Sequence, residues 1–337
     1  MEIGLESYTF TYSTGMGYRH LQPPGFVPLT VDDLLEKAAA AGLAGVSLDL
    51  GRWIDPEDTE ELRRIRRRAE GMGLWLAAAT GGTDVERLTV VLRAARELGC
   101  SVVRTVIGGA RLGGDRRPME GRWRSFMDKT LRDLQELARV AEDLGVTLAI
   151  ENHQDLTADE IVHLLREVSS PWLGVVLDVA NPLGTAEEPG TFYKKVMPFV
   201  KGAHLKDYRI RMTASGYLLC RCALGEGVVD FPRLFADFRR WAPDLRPTIE
   251  LAALEARHVR VLEEDFWPEY PPRPAVELAR TWRFLHQYAE RDGSSEWRTP
   301  VELGLGGQAV AEYEERQFQE SVAYLKKLLG GNLRAVS

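Results

Sequence analysis

Short apolar runs alternate with longer amphipathic stretches along the chain, and the alternation repeats about eight times. The runs are rich in β-branched residues and several are almost continuously apolar, which is typical of parallel strands covered on both faces. We predict strands at Glu2–Tyr8, Gly45–Leu50, Leu74–Ala79, Ser101–Ile107, Thr147–Asn152, Gly174–Ala180, Val200–Lys206 and Thr248–Ala252.

The amphipathic stretches carry the start and stop signals of helices. Thr30 can cap a helix whose apolar positions include Leu34 and Ala38, and Gly42 ends it. The crossover after the sixth strand is rich in proline and glycine and is only weakly helical around Thr191–Met197. The predicted helices are Val31–Ala41, which Thr30 caps, Glu57–Gly71, Asp84–Gly99, Arg122–Gly145, Ala158–Val168, Phe231–Trp241 and Ala275–Ala289.

Eight strands and eight crossovers predict an α/β fold, a (β/α)8 TIM barrel with a C-terminal helical extension. A chain of 337 residues could hold two domains, but such barrels commonly occupy about 250 residues as one unit. We predict that residues 1–290 form the barrel and that residues 291–337 form a packing or oligomerisation arm. In that arm Ala309–Leu329 forms an amphipathic helix whose apolar face needs a covering surface.

The composition excludes some classes of partner. The chain has 50 acidic and 43 basic residues and a formal net charge of -7, which argues against a nucleic-acid surface. No apolar run approaches the roughly 18 residues of a membrane helix, and the first residues lack the pattern of a targeting signal. We therefore expect a cytoplasmic protein with neither nucleic acid nor membrane as partner.

Four polar residues end or directly follow apolar runs on four consecutive predicted strands. They are Glu151, Asp178, His204 and Glu250. The carboxyl ends of barrel strands build the active site, and side chains of matching parity converge there. Three carboxylates in a poorly hydrated cavity need compensation, for which a divalent cation is the simplest source. Oxygen and nitrogen donors suit Mn²⁺, the expected ion, or Mg²⁺, with Co²⁺, Fe²⁺, Ni²⁺ and Zn²⁺ as alternatives.

Two further residues share the side-chain parity of these candidates. His153 lies two residues beyond Glu151 and could bind substrate or act as a general base, or it could hold a neighbouring carboxylate in place. Lys206 lies two residues beyond His204 and could polarise a substrate oxygen, or it could pair with Asp207 or Glu226. Both residues are predicted to face the pocket.

Other candidates lie on the fourth strand and in the loops. Arg104 could reach a substrate or serve as a structural ion partner inside the barrel. Glu226, between two glycines after the seventh strand, could bind substrate hydroxyls or shape a turn. Val259–Pro274 is longer than an ordinary connection, and it could narrow the pocket or contact a partner subunit.

The motifs around these residues carry a family resemblance. The chain resembles the xylose-isomerase-like barrel superfamily, which includes sugar phosphate isomerases and epimerases, D-tagatose 3-epimerase, inosose dehydratase and C-glycoside deglycosidase catalytic subunits. The resemblance lies in the runs Ile150-Glu151-Asn152-His153, Val176-Leu177-Asp178-Val179-Ala180-Asn181, His204-Leu205-Lys206-Asp207, Leu224-Gly225-Glu226-Gly227-Val228-Val229-Asp230-Phe231 and Ile249-Glu250-Leu251.

The resemblance implies that Glu151, Asp178, His204 and Glu250 bind one divalent metal ion. It also implies a sugar isomerase or epimerase in which Glu151 and Glu250 exchange the proton next to a carbonyl, through a metal-stabilised enediolate. A lyase on the same scaffold, a keto-inositol dehydratase or a 3-keto-glycoside deglycosidase, is the alternative. The substrate would then be a small carbohydrate or polyol-like molecule.

The chain departs from the family pattern at one position. Many relatives carry histidine three residues after the aspartate, where this chain has Asn181. An asparagine can bind a substrate hydroxyl, but it cannot relay a proton near neutral pH. The family commonly assembles, which favours a homo-oligomer, with recruitment of a second subunit as the alternative.

Overall fold

The computed structural model describes residues 1–252, 254–290 and 296–334. Eight of its strands are parallel and close into a barrel, in the order β1 to β7, then β10, then β1 again. The (β/α)8 prediction is confirmed. The strands are β1 (Gly4–Glu6), β2 (Gly45–Asp49), β3 (Trp75–Ala79), β4 (Val102–Val106), β5 (Thr147–Glu151), β6 (Leu173–Asp178), β7 (Val200–Leu205), β8 (Tyr208–Thr213), β9 (Gly216–Arg221), β10 (Pro247–Ile249) and β11 (Arg257–Val259).

The helices follow the predicted stretches closely. Thr30 and Thr157 each cap a helix and form a reciprocal capping box with the acidic residue three positions later. In the described parts of the chain, no helix combines the length and the apolar character that a membrane crossing requires. The helices are α1 (Val31–Ala40), α2 (Thr59–Gly71), α3 (Val85–Leu98), α4 (Trp123–Leu144), α5 (Ala158–Val168), α6 (Pro189–Val196), α7 (Phe231–Trp241), α8 (Ala275–Tyr288) and α9 (Gly307–Leu328).

A second, three-stranded antiparallel sheet was not predicted. β8 and β9 form a hairpin, and β11 pairs with β9 on its other edge. Tyr208, Ile210 and Leu219 are fully buried in a small apolar core that includes Phe266 and Tyr270 of the predicted Val259–Pro274 insertion. The insertion therefore packs within the same chain, and α8 packs against β8.

The predicted tail helix is α9, and it lies in the ring of helices around the barrel. Phe318 and Leu325 are buried in the main core, Glu315 pairs with Lys37 of α1 at 2.6 Å, and Tyr324 packs against Phe231 of α7. The apolar face of α9 is thus covered within one chain, and its burial requires no second copy. The homo-oligomer and the division near residue 290 stay predictions, and residues 291–295 lie outside the described residues.

We expect the tail helix to contribute strongly to stability. Phe318 is 1% exposed and its ring lies 5.3 Å from that of Phe10. Phe318→Ala should lower the free energy of unfolding by about 3–5 kcal/mol through lost burial and a residual cavity. Urea unfolding measures this, with Glu320→Ala, an exposed position on the same helix, as the control. Equal stability of the two variants would contradict the packing of α9.

Candidate metal centre

Four side chains that could hold a metal ion meet at the carboxyl ends of β5, β6, β7 and β10. One ligand atom from each of Glu151, Asp178, His204 and Glu250 lies within 4.8 Å of the others. The barrel register places them level, since Asp178 of β6 pairs directly with His204 of β7. All four residues are at most 5% exposed. The buried cluster could therefore bind a divalent ion, and the identity of that ion stays a prediction.

The donor atoms of this cluster fit a metal. Both Glu151 carboxylate oxygens, Oε2 of Glu250 and Nδ1 of His204 are buried without a hydrogen-bond partner in the described part of the chain. His204 Nδ1 lies 2.6 Å from Glu250 Oε2 and 3.6 Å from Glu151 Oε2, but neither approach has hydrogen-bond geometry. Buried polar atoms are normally satisfied, so these four atoms are suited to coordinate an ion.

Two basic side chains, those of Lys206 and Arg104, extend into the same cluster and change its net charge. Lys206 Nζ lies 2.6 Å from Asp178 Oδ2 and 3.2 Å from Glu250 Oε1. Arg104 Nε lies 2.5 Å from Glu151 Oε2. The expectation that the three carboxylates lack compensating charge was therefore wrong, because these two side chains supply it. A divalent ion would enter a cluster whose negative charge is already partly neutralised.

These charges shift the protonation of the candidate ligands. Burial raises the pKa of Glu151, but Arg104 and His204 outweigh it and hold the pKa at about 2. Burial lowers the pKa of His204, but Glu250 and Glu151 raise it to about 10. Burial raises the pKa of Asp178 to about 6. The metal-free imidazole is therefore held protonated, and ligation through Nδ1 would require loss of that proton.

Two further buried residues, Asn152 and Glu6, lie next to the candidate ligands. Asn152 links the ends of β5 and β6, because its side chain donates to the Asp178 carbonyl at 2.9 Å and accepts from the Asp178 amide at 2.8 Å. Glu6 is fully buried, and its Oε2 lies 3.8 Å from His204 Nε2. Sequence reasoning missed Glu6, although its position at the end of the first barrel strand was a usable signal.

Asn181 and His153 both lie beside the cluster. The side-chain oxygen Oδ1 of Asn181 accepts hydrogen bonds from Gln154 Nε2 at 2.9 Å and from the Tyr208 hydroxyl at 3.3 Å. This side-chain oxygen is therefore already hydrogen-bonded within the protein. His153 follows the end of β5 and is partly buried, and burial lowers the pKa of its imidazole to about 4. His153 is consequently neutral near pH 7.

Glu226 is not brought to the cluster. It is exposed, and within the described residues its carboxylate contacts none of the candidate ligands. Asp207 shapes this loop instead, because its carboxylate accepts from the amides of Gly225, Gly227 and Val229 at 3.0–3.1 Å. A substrate contact by Glu226 stays a prediction. Lys206 pairs with cluster carboxylates rather than with its sequence neighbour Asp207.

The long insertion is fixed to the rim of the barrel. The Arg116 guanidinium lies between the rings of Trp123 and Tyr270, 3.8 and 3.9 Å from their centroids. It also donates to both carboxylate oxygens of Glu160, at 3.0 and 2.6 Å. The Tyr270 hydroxyl donates to the Gly114 carbonyl at 2.7 Å. The insertion thus holds the loop after β4 in place.

A closed barrel with a buried carboxylate–imidazole cluster at its carboxyl end defines the class of this protein, and comparison with known proteins gives its family. Residues 35–241 match the Xylose isomerase-like TIM barrel family, and the chain belongs to it. The resemblance identified from the motifs is confirmed.

Individual relatives in this group are enzymes. The chain is 24% identical over 241 residues, 71% of its length and 81% of the relative's, to 3-oxo-isoapionate decarboxylase of Pectobacterium atrosepticum. It is 25% identical over 141 residues, 36% of its length and 46% of the relative's, to inosose dehydratase of Bacillus thuringiensis. The structure of 3-keto-D-glucoside 4-epimerase from E. coli shares the fold, with a TM-score of 0.55, 14% identity and coverage of 85% of this chain and 99% of that one.

Proposed function

We propose that this chain is a divalent-metal-dependent isomerase or epimerase acting on a small carbohydrate or polyol-like substrate, at a carbon next to a carbonyl. The cluster of three buried carboxylates and one imidazole, with ligand atoms within 4.8 Å of one another, carries the proposal. A divalent ion held there would polarise a substrate carbonyl and make the adjacent C–H bond more acidic.

The chain's own residues would move the proton and hold the substrate. Burial raises the pKa of Glu250, but Lys206 and His204 hold it well below its usual range, so Glu250 stays ionised and can accept a proton. Glu151 is ionised as well and is the candidate for a second base. Lys206 can donate to a substrate oxygen that gains charge, and neutral His153 can bind a substrate hydroxyl or accept a proton.

The remaining predicted substrate contacts differ in what they can offer. Asn181 has its acceptor occupied but keeps an amide donor for a substrate oxygen. Arg104 is engaged by Glu151 and by the Thr80 carbonyl, to which it donates at 3.0 Å. Glu226 would have to reach the substrate from its exposed loop. We propose Asn181 as the strongest of these contacts.

A lyase is the second candidate function, and the ion pair between Arg104 and Glu151 favours it. Arg104 Nε lies 2.5 Å from Glu151 Oε2 and holds the pKa of Glu151 at about 2, which makes Glu151 a weak second base. Epimerisation uses a base on each face of the substrate carbon. Elimination needs only one base, and loss of carbon dioxide from a β-keto acid needs none. The decarboxylase and dehydratase relatives support this alternative.

A substrate panel in D₂O with Mn²⁺ separates the two functions. The panel contains ketoses, keto-inositols, 3-keto-glycosides and β-keto sugar acids. Deuterium at the carbon next to the carbonyl, together with an epimer or isomer, is expected for the first function. An unsaturated product, released aglycone or carbon dioxide indicates a lyase. If a protein that holds one Mn²⁺ per chain gives neither exchange nor product, both functions are excluded for these substrates.

A further inference from the structure

Two buried arginines lie on the small antiparallel sheet. Arg221 ends β9 and Arg257 begins β11, and they are only 6% and 8% exposed. Within residues 1–252, 254–290 and 296–334, neither guanidinium forms an ion pair, and Nε of each lacks a hydrogen-bond partner. The acidic residue that acts on Arg257 is Glu255, which is exposed and accepts from the Tyr18 hydroxyl at 2.5 Å.

The strand register places both arginines on the same face of this sheet. Arg221 pairs with Tyr208 on β8, and Arg257 pairs with Leu219, two residues before Arg221. Side chains two residues apart on a strand share a face, so Arg257 is a diagonal neighbour of Arg221, at about 7–8 Å. The charge of Arg221 acts on Arg257, so the two guanidinium groups lie near each other.

This face borders the candidate metal centre. Arg221 Nη1 donates to the Leu251 carbonyl at 2.5 Å, and Leu251 directly follows Glu250. The Arg221 guanidinium carbon lies 5.8 Å from the Tyr208 ring centroid, and the Tyr208 hydroxyl lies 3.3 Å from Asn181 Oδ1. The arginine pair is thus connected to the cluster through the end of β10 and through the loop after β6.

The pair is costly without an anion. Burying an unpaired charge is strongly unfavourable, and a like charge beside it adds repulsion. Burial and the charge of Arg221 lower the pKa of Arg257 to about 10, so Arg257 remains charged near neutral pH. The carboxylates of the metal centre do not relieve this cost, because they pair with Arg104 and Lys206.

We infer that Arg221 and Arg257 bind an acidic oxyanion group of the substrate, a carboxylate or a phosphate, while the carbonyl end reaches the metal centre. A guanidinium offers planar paired donors that match both groups. The inference rests on the proposed function, because it places this group on the substrate of the same site. The substrate class is then sugar acids or sugar phosphates rather than neutral sugars.

Calorimetric binding of three matched six-carbon ketoses tests the inference. D-fructose is neutral, D-fructuronate carries a carboxylate in place of the C6 hydroxymethyl group, and D-fructose 6-phosphate carries a phosphate at C6. At least one anionic probe should bind the full-length protein about tenfold or more tightly than D-fructose, with Mn²⁺ and also with EDTA. Persistence in EDTA separates an anion held by arginine from one held only by metal, and the preferred probe identifies the oxyanion.

Two variants and one control complete the test. Arg257→Gln and Arg221→Gln should each reduce the preference for the anion to less than threefold, whereas Arg260→Gln should retain it, because Arg260 pairs with Asp265 at 3.3 Å. Unfolding curves show whether each variant is folded. Equal binding of all three probes, no binding of either anion at 10 mM, or an unchanged preference in both folded variants overturns the inference. Binding is measured without turnover, so failure of deuterium exchange with intact anion preference counts against the proposed function alone.

Discussion

Replacing Glu250 by glutamine should slow deuterium exchange into the substrate by about 10²–10⁴-fold while leaving the barrel folded. The amide removes the ionised group that accepts the proton, but its oxygen can still face Lys206, which lies 3.2 Å from Glu250 Oε1. The backbone bond from the Glu250 amide to the Leu205 carbonyl, at 3.0 Å, is unaffected. Proton NMR in D₂O measures the exchange, with whichever panel compound the wild-type protein exchanges.

Glu250→Gln can lose exchange because the proton acceptor is gone or because the metal ion is no longer bound. The metal content of the variant distinguishes these two causes. Elemental analysis of the purified Glu250→Gln protein shows whether it still holds an ion, since a neutral amide is a weaker ligand than a carboxylate. Lost exchange with retained metal assigns the proton transfer to Glu250. Glu320→Gln, at an exposed position of α9, should exchange at the wild-type rate. Near-normal exchange in Glu250→Gln would remove Glu250 as the base.

The cluster could be predicted because its geometry follows from strand parity. Glu151 and Asp178 each end a buried strand, and consecutive strands of this barrel are neighbours from β1 to β7. The position of a polar residue at the carboxyl end of an apolar run therefore predicts the level of its side chain along the barrel axis and the face to which that side chain points. The same parity predicted that Lys206 lies beside His204, although not which carboxylates it pairs with.

The sequence of the small sheet carries a strand signal. Tyr208 and Ile210 alternate with Arg209 and Arg211, which is the period-two pattern of a half-buried strand. Ser215 and Gly216 then supply turn residues before β9. Because Arg209 and Arg211 interrupt its apolar positions, this segment lacks the continuous apolar run that identifies the barrel strands.

Other features depend on contacts between distant parts of the chain. Arg257 lies beside Arg221 only because β11 pairs with β9. The tail helix α9 reaches α1 and α7, whereas α8, the predicted eighth helix, packs on β8. Both helices have an apolar face, so amphipathicity alone cannot decide which of them covers the barrel. Long-range pairing settles that choice, and a single sequence does not contain it.

The stabilisation of the protein by metal should disappear when Asp178 is replaced by asparagine. At an ion concentration of about 100 times Kd, binding adds about 2.7 kcal/mol to the free energy of unfolding. For a chain of this length that gain raises Tm by about 4 °C. The asparagine oxygen can still accept from the amides of Ala180 and Asn181, so the loop after β6 should keep its shape. The Mn²⁺-induced shift should fall below about 1 °C.

Thermal unfolding with EDTA and then with Mn²⁺ measures this shift, and Asp128→Asn, at an exposed position on α4, should keep the full wild-type value. The result also decides between two interpretations of the cluster. Lys206 and Arg104 already pair with its carboxylates, so the same residues could form a purely structural ion network. A structural network predicts no Mn²⁺ shift in the wild-type protein and a loss of stability in Asp178→Asn without any metal. A metal centre predicts a Mn²⁺ shift in the wild-type protein and little loss of stability in Asp178→Asn without metal, because the aspartate then matters chiefly when the ion is present.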